Sequence, residues 1–115
     1  MLSGGGVLPG ASVSLSAAIG QFLDHCRIER GLARNSIEAY RLDLNRFRNY
    51  AVLAVDDGMP DGVVIRRYLD GLHSEGLQSR SVSRHLTTVR NLYGFLLREG
   101  RIATDPTEFI PLPKH

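Results

Sequence analysis

The sequence predicts an all-α domain, a four-helix bundle followed by a short fifth helix. Three observations lead there. Apolar residues recur at helical spacing in four separate segments. Cap-forming residues open most of these segments and glycines close three of them. No segment alternates apolar with polar residues as a half-buried strand would. A chain of 115 residues supports one hydrophobic core without covalent staples. Its 43% hydrophobic and 23% charged content is that of a globular chain.

Residues 1–14 are rich in Gly and Ser without periodicity, and predict a flexible tail. The GGG within them is no phosphate loop, because no Gly-Lys-Ser/Thr follows. The first helix is expected from Ser16 to Arg30, with Leu15, Ile19, Phe22, Leu23 and Cys26 on one face and Gly31 as its stop. After the connector GLAR, the second starts at Asn35, with Glu38 completing a capping box, and runs to about Ala51. It buries Ile37, Tyr40, Leu44, Phe47 and Tyr50.

The segment VLAVDDGMPDG reads as a loop whose Asp56, Asp57 and Asp61 are turn and cap residues. The third helix follows Asp61 to about Glu75, with Ile65, Tyr68, Leu69 and Leu72 inward and Gly76 as terminator. Ser79 caps the fourth and longest helix, which Gly100 ends. Asp105-Pro106-Thr107-Glu108 has the order cap, first-turn proline, capping-box acid, and predicts the short fifth helix.

Composition excludes several classes. One cysteine rules out an internal disulfide framework and makes a reducing cytoplasm the expected location. No apolar run approaches the roughly 20 residues that span a bilayer, and the first residues lack the build of a signal peptide. The net charge of +2 is too small to indicate a nucleic-acid partner by itself. Its distribution is more telling. Residues 79–101 hold five Arg against one Glu, and residues 27–48 six Arg against three acids. Residues 56–76 reverse this, with five acids against two Arg. Such polarity suits an anionic partner. Thirteen Arg against one Lys suits planar phosphate and guanine recognition, or reflects codon bias.

Signs of catalytic chemistry are few. His25 and Cys26 are neighbours, so on a helix they diverge by about 100° and share a metal poorly. Cys26 lies on an apolar row and is expected to be a buried, inert thiol. His73 and His85 stand alone. No nucleophile elbow, zinc-protease motif or calcium loop is present, so neither a catalytic residue, a metal nor a cofactor is expected.

The fourth helix carries the clearest pattern. Val82, Leu86, Val89, Leu92, Tyr93 and Leu96 share one face, and Arg80, Arg84, Thr87, Asn91 and Arg98 the other. A solvated face accounts for such a row. So does a nucleic-acid surface: Arg mixed with Ser, Thr and Asn is the inventory that binds phosphates and base edges. Acids that would pair along the helix are missing until Glu99. At the start of the second helix, Arg34, Asn35 and Ser36 sit where free backbone N–H groups favour a phosphate.

FLDHCRIERGLARNSIEAYRLDLNRF resembles the opening of the core-binding domain of tyrosine site-specific recombinases, the phage-integrase and Xer group. There Glu-Arg-Gly-Leu leads into an Asn-Thr-x-x-x-Tyr-Arg-x-Asp-Leu-x-x-Phe helix. SVSRHLTTVRNLYGFLLREGRIATDP is similar to the last long helix of that domain, and PLPK to the lead into the next domain. The resemblance spans residues 15–114.

It implies a SAM-like bundle forming one jaw of a clamp on double-stranded DNA, with its second and fourth helices toward the major groove. By position it nominates Arg34, Asn35, Ser36, Tyr40 and Arg41, and then Arg80, Ser81, Arg84, Thr87, Arg90 and Asn91. It further implies a core-binding domain over residues 15–110, and a linker beginning at 111–115 toward a catalytic domain absent from this chain. The isolated domain is then a monomer and not itself an enzyme. Other recombinase protomers join it on DNA, in a bacterial or phage-derived cytoplasmic setting, without membrane. Phe109 and Ile110 are expected either at a protomer contact or in the core, the core being favoured.

Departures from the pattern are Ser36 for Thr, Leu42 for a basic residue, and Gly94 within the fourth helix. Asp43 falls in an apolar arc and is expected to pair with an arginine, Arg90 being the one nominated. The alternatives are a helix-turn-helix regulator with the second helix as reader, and a helical protein-interaction module.

Overall fold

The computed structural model describes residues 13–113 and contains four helices and, among the described residues, no strand. They are α1 (Leu15–Ile28), α2 (Arg34–Val55), α3 (Gly62–Ser74) and α4 (Ser79–Arg98). Most of the expected N-terminal tail, and the last two residues of the expected linker, lie outside the described residues.

Each helix forms where its apolar stripe meets a neighbour. α1 and α3 each pack on both α2 and α4 but not on one another, so α2 and α4 form the central pair. Phe22 of α1 is 1% exposed and lies 5.6 Å from the Tyr40 ring and 5.8 Å from the Phe95 ring, linking α1, α2 and α4. Opposite, Tyr68 of α3 packs edge-on against Phe47 at 5.1 Å. Cys26 is buried, as its place on the α1 stripe requires.

The ends of the helices follow local chemistry. α1 starts at Leu15, because the Ser14 hydroxyl accepts from the Ala17 N–H at 3.0 Å. The loop supplies the rest: Asp57 accepts from Leu15 through its carbonyl (2.8 Å) and from the Ser16 N–H through its carboxylate (3.0 Å). These Ser16 hydrogen bonds hold the Asp57 carboxyl below its ordinary range. Asp61 caps α3 through the Val64 N–H, at 3.0 Å. Gly31, Gly76 and Gly100 follow α1, α3 and α4 with φ of 60°, 97° and 70°. Each is followed by an N–H that bonds back to the last helical turn, from Leu32 to Cys26, Leu77 to Leu72 and Arg101 to Leu96.

Four expectations are corrected. α2 begins at Arg34, because extended Ala33 is its cap and makes no side-chain cap bond. Asn35 is therefore already helical, and Glu38 turns to Arg41 instead of capping. α2 also runs on to Val55, since Val-Leu-Ala-Val contains no breaker before Asp56. α4 is capped by Gln78 without a side-chain bond, not by Ser79. The fifth helix is a turn. Asp105 accepts from the Thr107 N–H at 2.8 Å as a cap would. The chain then closes only i→i+3 bonds, Glu108 to Asp105 and Ile110 to Thr107. Pro111 disfavours helix at Ile110, leaving too few residues to propagate one. Ile110 enters the core, while Phe109 is 82% exposed.

Candidate nucleic-acid interface

α4 divides cleanly between core and solvent. Val82, Leu86, Val89, Leu92, Tyr93 and Leu96 are buried; Arg80, Arg84, Thr87 and Arg98 are exposed, with Ser81, Arg90 and Asn91 half-buried. Two sets of polar contacts tie it to α2. Asn91 Nδ2 donates to the Tyr40 phenol oxygen at 3.2 Å. About two turns toward the start of α4, Arg84 grips the Asp43 carboxylate with Nε (3.2 Å) and Nη2 (2.9 Å).

Asp43 therefore pairs with Arg84, not with Arg90. Six residues separate these arginines, which turns Arg90 about 120° away from α2; it donates to the Ile110 carbonyl instead. The pairing extends inward. Thr88 Oγ1 donates to Asp43 Oδ2 at 3.0 Å, and Arg84 Nη2 lies 3.1 Å from His85 Nε2. The other ring nitrogen, Nδ1, is 3.3 Å from the Tyr68 hydroxyl. Asp43, Thr88 and His85 are all buried, while the Arg84 side chain is 60% exposed.

Beside this network, Ala39, Leu42, Asp43 and Arg46 of α2 and Arg84 and His85 of α4 line a shallow groove. Arg46 is salt-bridged to Glu75, just past the end of α3. The acidic stretch of the sequence thus reaches the arginine face and partly neutralises it.

The nominated residues of α2 do not all share this groove. At about 100° per residue, Ser36 lines up with Asp43 and Asn35 with Arg46. Arg34 and Arg41 fall about 180–200° around the helix from Asp43. Arg41 is paired with Glu38, three residues away. Arg34 and Arg80 make no ion pair among the described residues. Arg46 and His85 belong to the groove and escaped the sequence reading. Extending the Asn35 stripe by three turns would have reached Arg46. His85 could be placed too: three residues after Val82 and four before Val89, it falls on the apolar row of α4, although its Tyr68 partner depends on how α3 packs over it.

This arrangement can hold phosphates and present hydrogen-bond donors to base edges. Among the described residues, burial pushes the Tyr68 and Tyr93 phenols and the Cys26 thiol up, and Tyr93 donates to the Pro60 carbonyl at 2.7 Å. Among the described residues no group of three or more His, Cys, Asp or Glu is placed to hold a metal. Nor is any helix there long and apolar enough to cross a membrane.

Residues 19–100, which contain both helices of the groove, match the family described as phage integrase, N-terminal SAM-like domain. The chain belongs to this family. Among curated relatives, the tyrosine recombinase XerC of Xanthomonas campestris pv. campestris (strain B100) is 36% identical over 108 residues, covering 92% of this chain and 33% of that protein. The tyrosine recombinase XerD of Staphylococcus epidermidis is 34% identical over 105 residues, covering 88% and 35%. The chain thus spans about a third of the length of the curated relatives it matches.

Two solved structures share the fold. The N-terminal domain of a phage integrase/site-specific recombinase from Haloarcula marismortui superposes with a TM-score of 0.78 at 21% identity, over 89% of this chain and 98% of that one. The integrase-like domain of Bacillus cereus gives 0.75 at 14%, over 95% and 90%.

In this integrase-type domain, His85 has a consequence for stability. Burial holds its imidazole below the ordinary value of 6.5; Asp43 opposes this, and Arg84 and Arg46 reinforce it. Unfolded His85 takes up a proton at the ordinary value, whereas the folded one resists. Stability is therefore lost as pH falls from 6.5 toward the folded value, and levels off below that. Thermal midpoints measured from neutral pH downward are expected to show this loss, and His85→Gln to flatten it. An unchanged profile in His85→Gln would assign the loss to other groups.

Proposed function

We propose that this domain grips duplex DNA in a sequence-specific manner, as the N-terminal clamp of a tyrosine recombinase acting in site-specific recombination. The observation that carries the reading is the exposed face of α4. Arg80, Arg84 and Thr87 line it beside the α2 groove, on a domain of the phage-integrase N-terminal family. Ser81, Asn91, Asn35 and Ser36 complete the contact surface, with Tyr40 as the buried-side partner of Asn91. Arg34 and Arg41 serve a second, outer backbone contact on the far flank of α2. Arg90 acts mainly through the Ile110 carbonyl. In this reading strand cleavage is the task of sequence outside residues 13–113, other protomers assemble on the same DNA, and the setting is the cytoplasm.

Salt-dependent duplex binding tests it. Arg80 is exposed and unpaired among the described residues, so Arg80→Ala is expected to weaken salt-dependent duplex binding. Arg67→Ala, on the exposed side of α3, is expected to leave it unchanged. Absence of duplex binding, or equal losses in both variants, would return α4 to a solvated face.

A further inference from the structure

The way Arg84 is held restricts what it can touch. A guanidinium carries five N–H donors. Asp43 takes the Nε hydrogen, at 3.2 Å, and one Nη2 hydrogen, at 2.9 Å. The second Nη2 hydrogen points at His85 Nε2, 3.1 Å away. Only the hydrogens of Nη1 remain, on a side chain that is 60% exposed. Forked recognition of guanine O6 and N7 needs parallel N–H groups on two different nitrogens. Both such pairs in a guanidinium include Nη2, and the Nη2 hydrogens are spent inside the protein. A phosphate oxygen asks for only one N–H.

The clamp is itself fixed. Asp43 is 7% exposed and its Oδ2 also accepts from Thr88 Oγ1 at 3.0 Å. His85 is 4% exposed, with Tyr68 3.3 Å from its other nitrogen. A guanidinium pinned from two sides by buried groups does not swing to meet a base. Asp43 also cancels its charge before any ligand arrives.

We propose that Asp43, backed by Thr88 and His85, is a positioning residue that confines Arg84 to a phosphate contact and mutes its share of counterion release. This rests on the DNA-binding reading above. Base discrimination on α4 then falls to Arg80 and Thr87, which are exposed and make no hydrogen bond through their side chains among the described residues.

The test selects bound sequences from a randomised duplex pool with the whole chain, and measures the salt slope for each variant. Arg84→Ala is expected to weaken all selected duplexes by a similar factor and leave the base-preference profile unchanged. Asp43→Asn removes the charge and one acceptor, so it frees the guanidinium. It is expected to steepen the salt slope by about one unit and add a guanine preference. The double variant Asp43→Asn/Arg84→Ala leaves no buried charge unpaired and repeats the Arg84 test where the single changes unfold. Loss of a base preference in Arg84→Ala or in the double variant would overturn the proposal, as would a wild-type slope in folded Asp43→Asn. Lack of any salt-dependent duplex binding by the wild-type chain is a different result, and overturns the DNA reading itself.

Discussion

Leu86→Ala is expected to lower the stability of the domain by about 2–5 kcal/mol. Leu86 is fully buried in the middle of the α4 apolar row, between Val82 and Val89. Truncation removes its transfer free energy and leaves a cavity that helices packed on several sides cannot collapse to fill. Domains of this size hold only about 5–15 kcal/mol in total, so the loss is a large fraction. Arg80→Ala, on the other face of the same helix, is expected to stay within about 0.5 kcal/mol of wild type. Urea midpoints with unchanged slopes measure both. A small loss for Leu86→Ala would mean that α4 is not anchored through this row.

Arg84→Ala is expected to cost about 1–3 kcal/mol of stability, unlike the other exposed arginines. The change strands the Asp43 carboxylate, 7% exposed, with Thr88 as its remaining hydrogen-bond donor. Removing one partner of a fully buried pair costs about 3–5 kcal/mol. The figure is reduced here because the Arg84 side chain is 60% open to solvent. Asp43→Asn in the Arg84→Ala background is expected to recover part of the loss, which a double-mutant cycle measures directly. If Arg84→Ala unfolds at the same urea concentration as Arg67→Ala, the ion pair contributes nothing to the fold.

Much of the architecture could be read from residue spacing. The four apolar rows, the Asp61 cap and the glycine stops are all local signals, and local signals survive in a single sequence. The starts of α2 and α4, at Arg34 and Ser79, were less legible. There the extended backbone of Ala33 and Gln78 sets the boundary, and side-chain cap preference is a weaker term. The turn at 105–110 shows a cap without a helix, because Pro111 limits propagation.

The α2–α4 face was legible as an inventory and not as a pairing. An acid in an apolar arc signalled that Asp43 needs a partner. Whether Arg84 or Arg90 provides it depends on the register in which α2 crosses α4, and no residue spacing within one helix contains that register. The divergence of Arg34 and Arg41 from Ser36 follows from helical period alone, once the groove has been located. The family match covers residues 19–100, nearly the whole bundle; duplex binding and its salt dependence separate the DNA reading from the interaction module.

Titrating the isotope-labelled chain with duplex DNA and following its backbone amides tests the central claim most directly. The amides of Asn35, Ser36, Arg80, Ser81, Arg84 and Thr87 are expected to shift together, with the response weakening as salt rises. Those of Arg66 and Arg67 on α3 are expected to stay in place. Shifts centred on α3, or none along the exposed face of α4 at low salt, would contradict the assignment of that face to DNA.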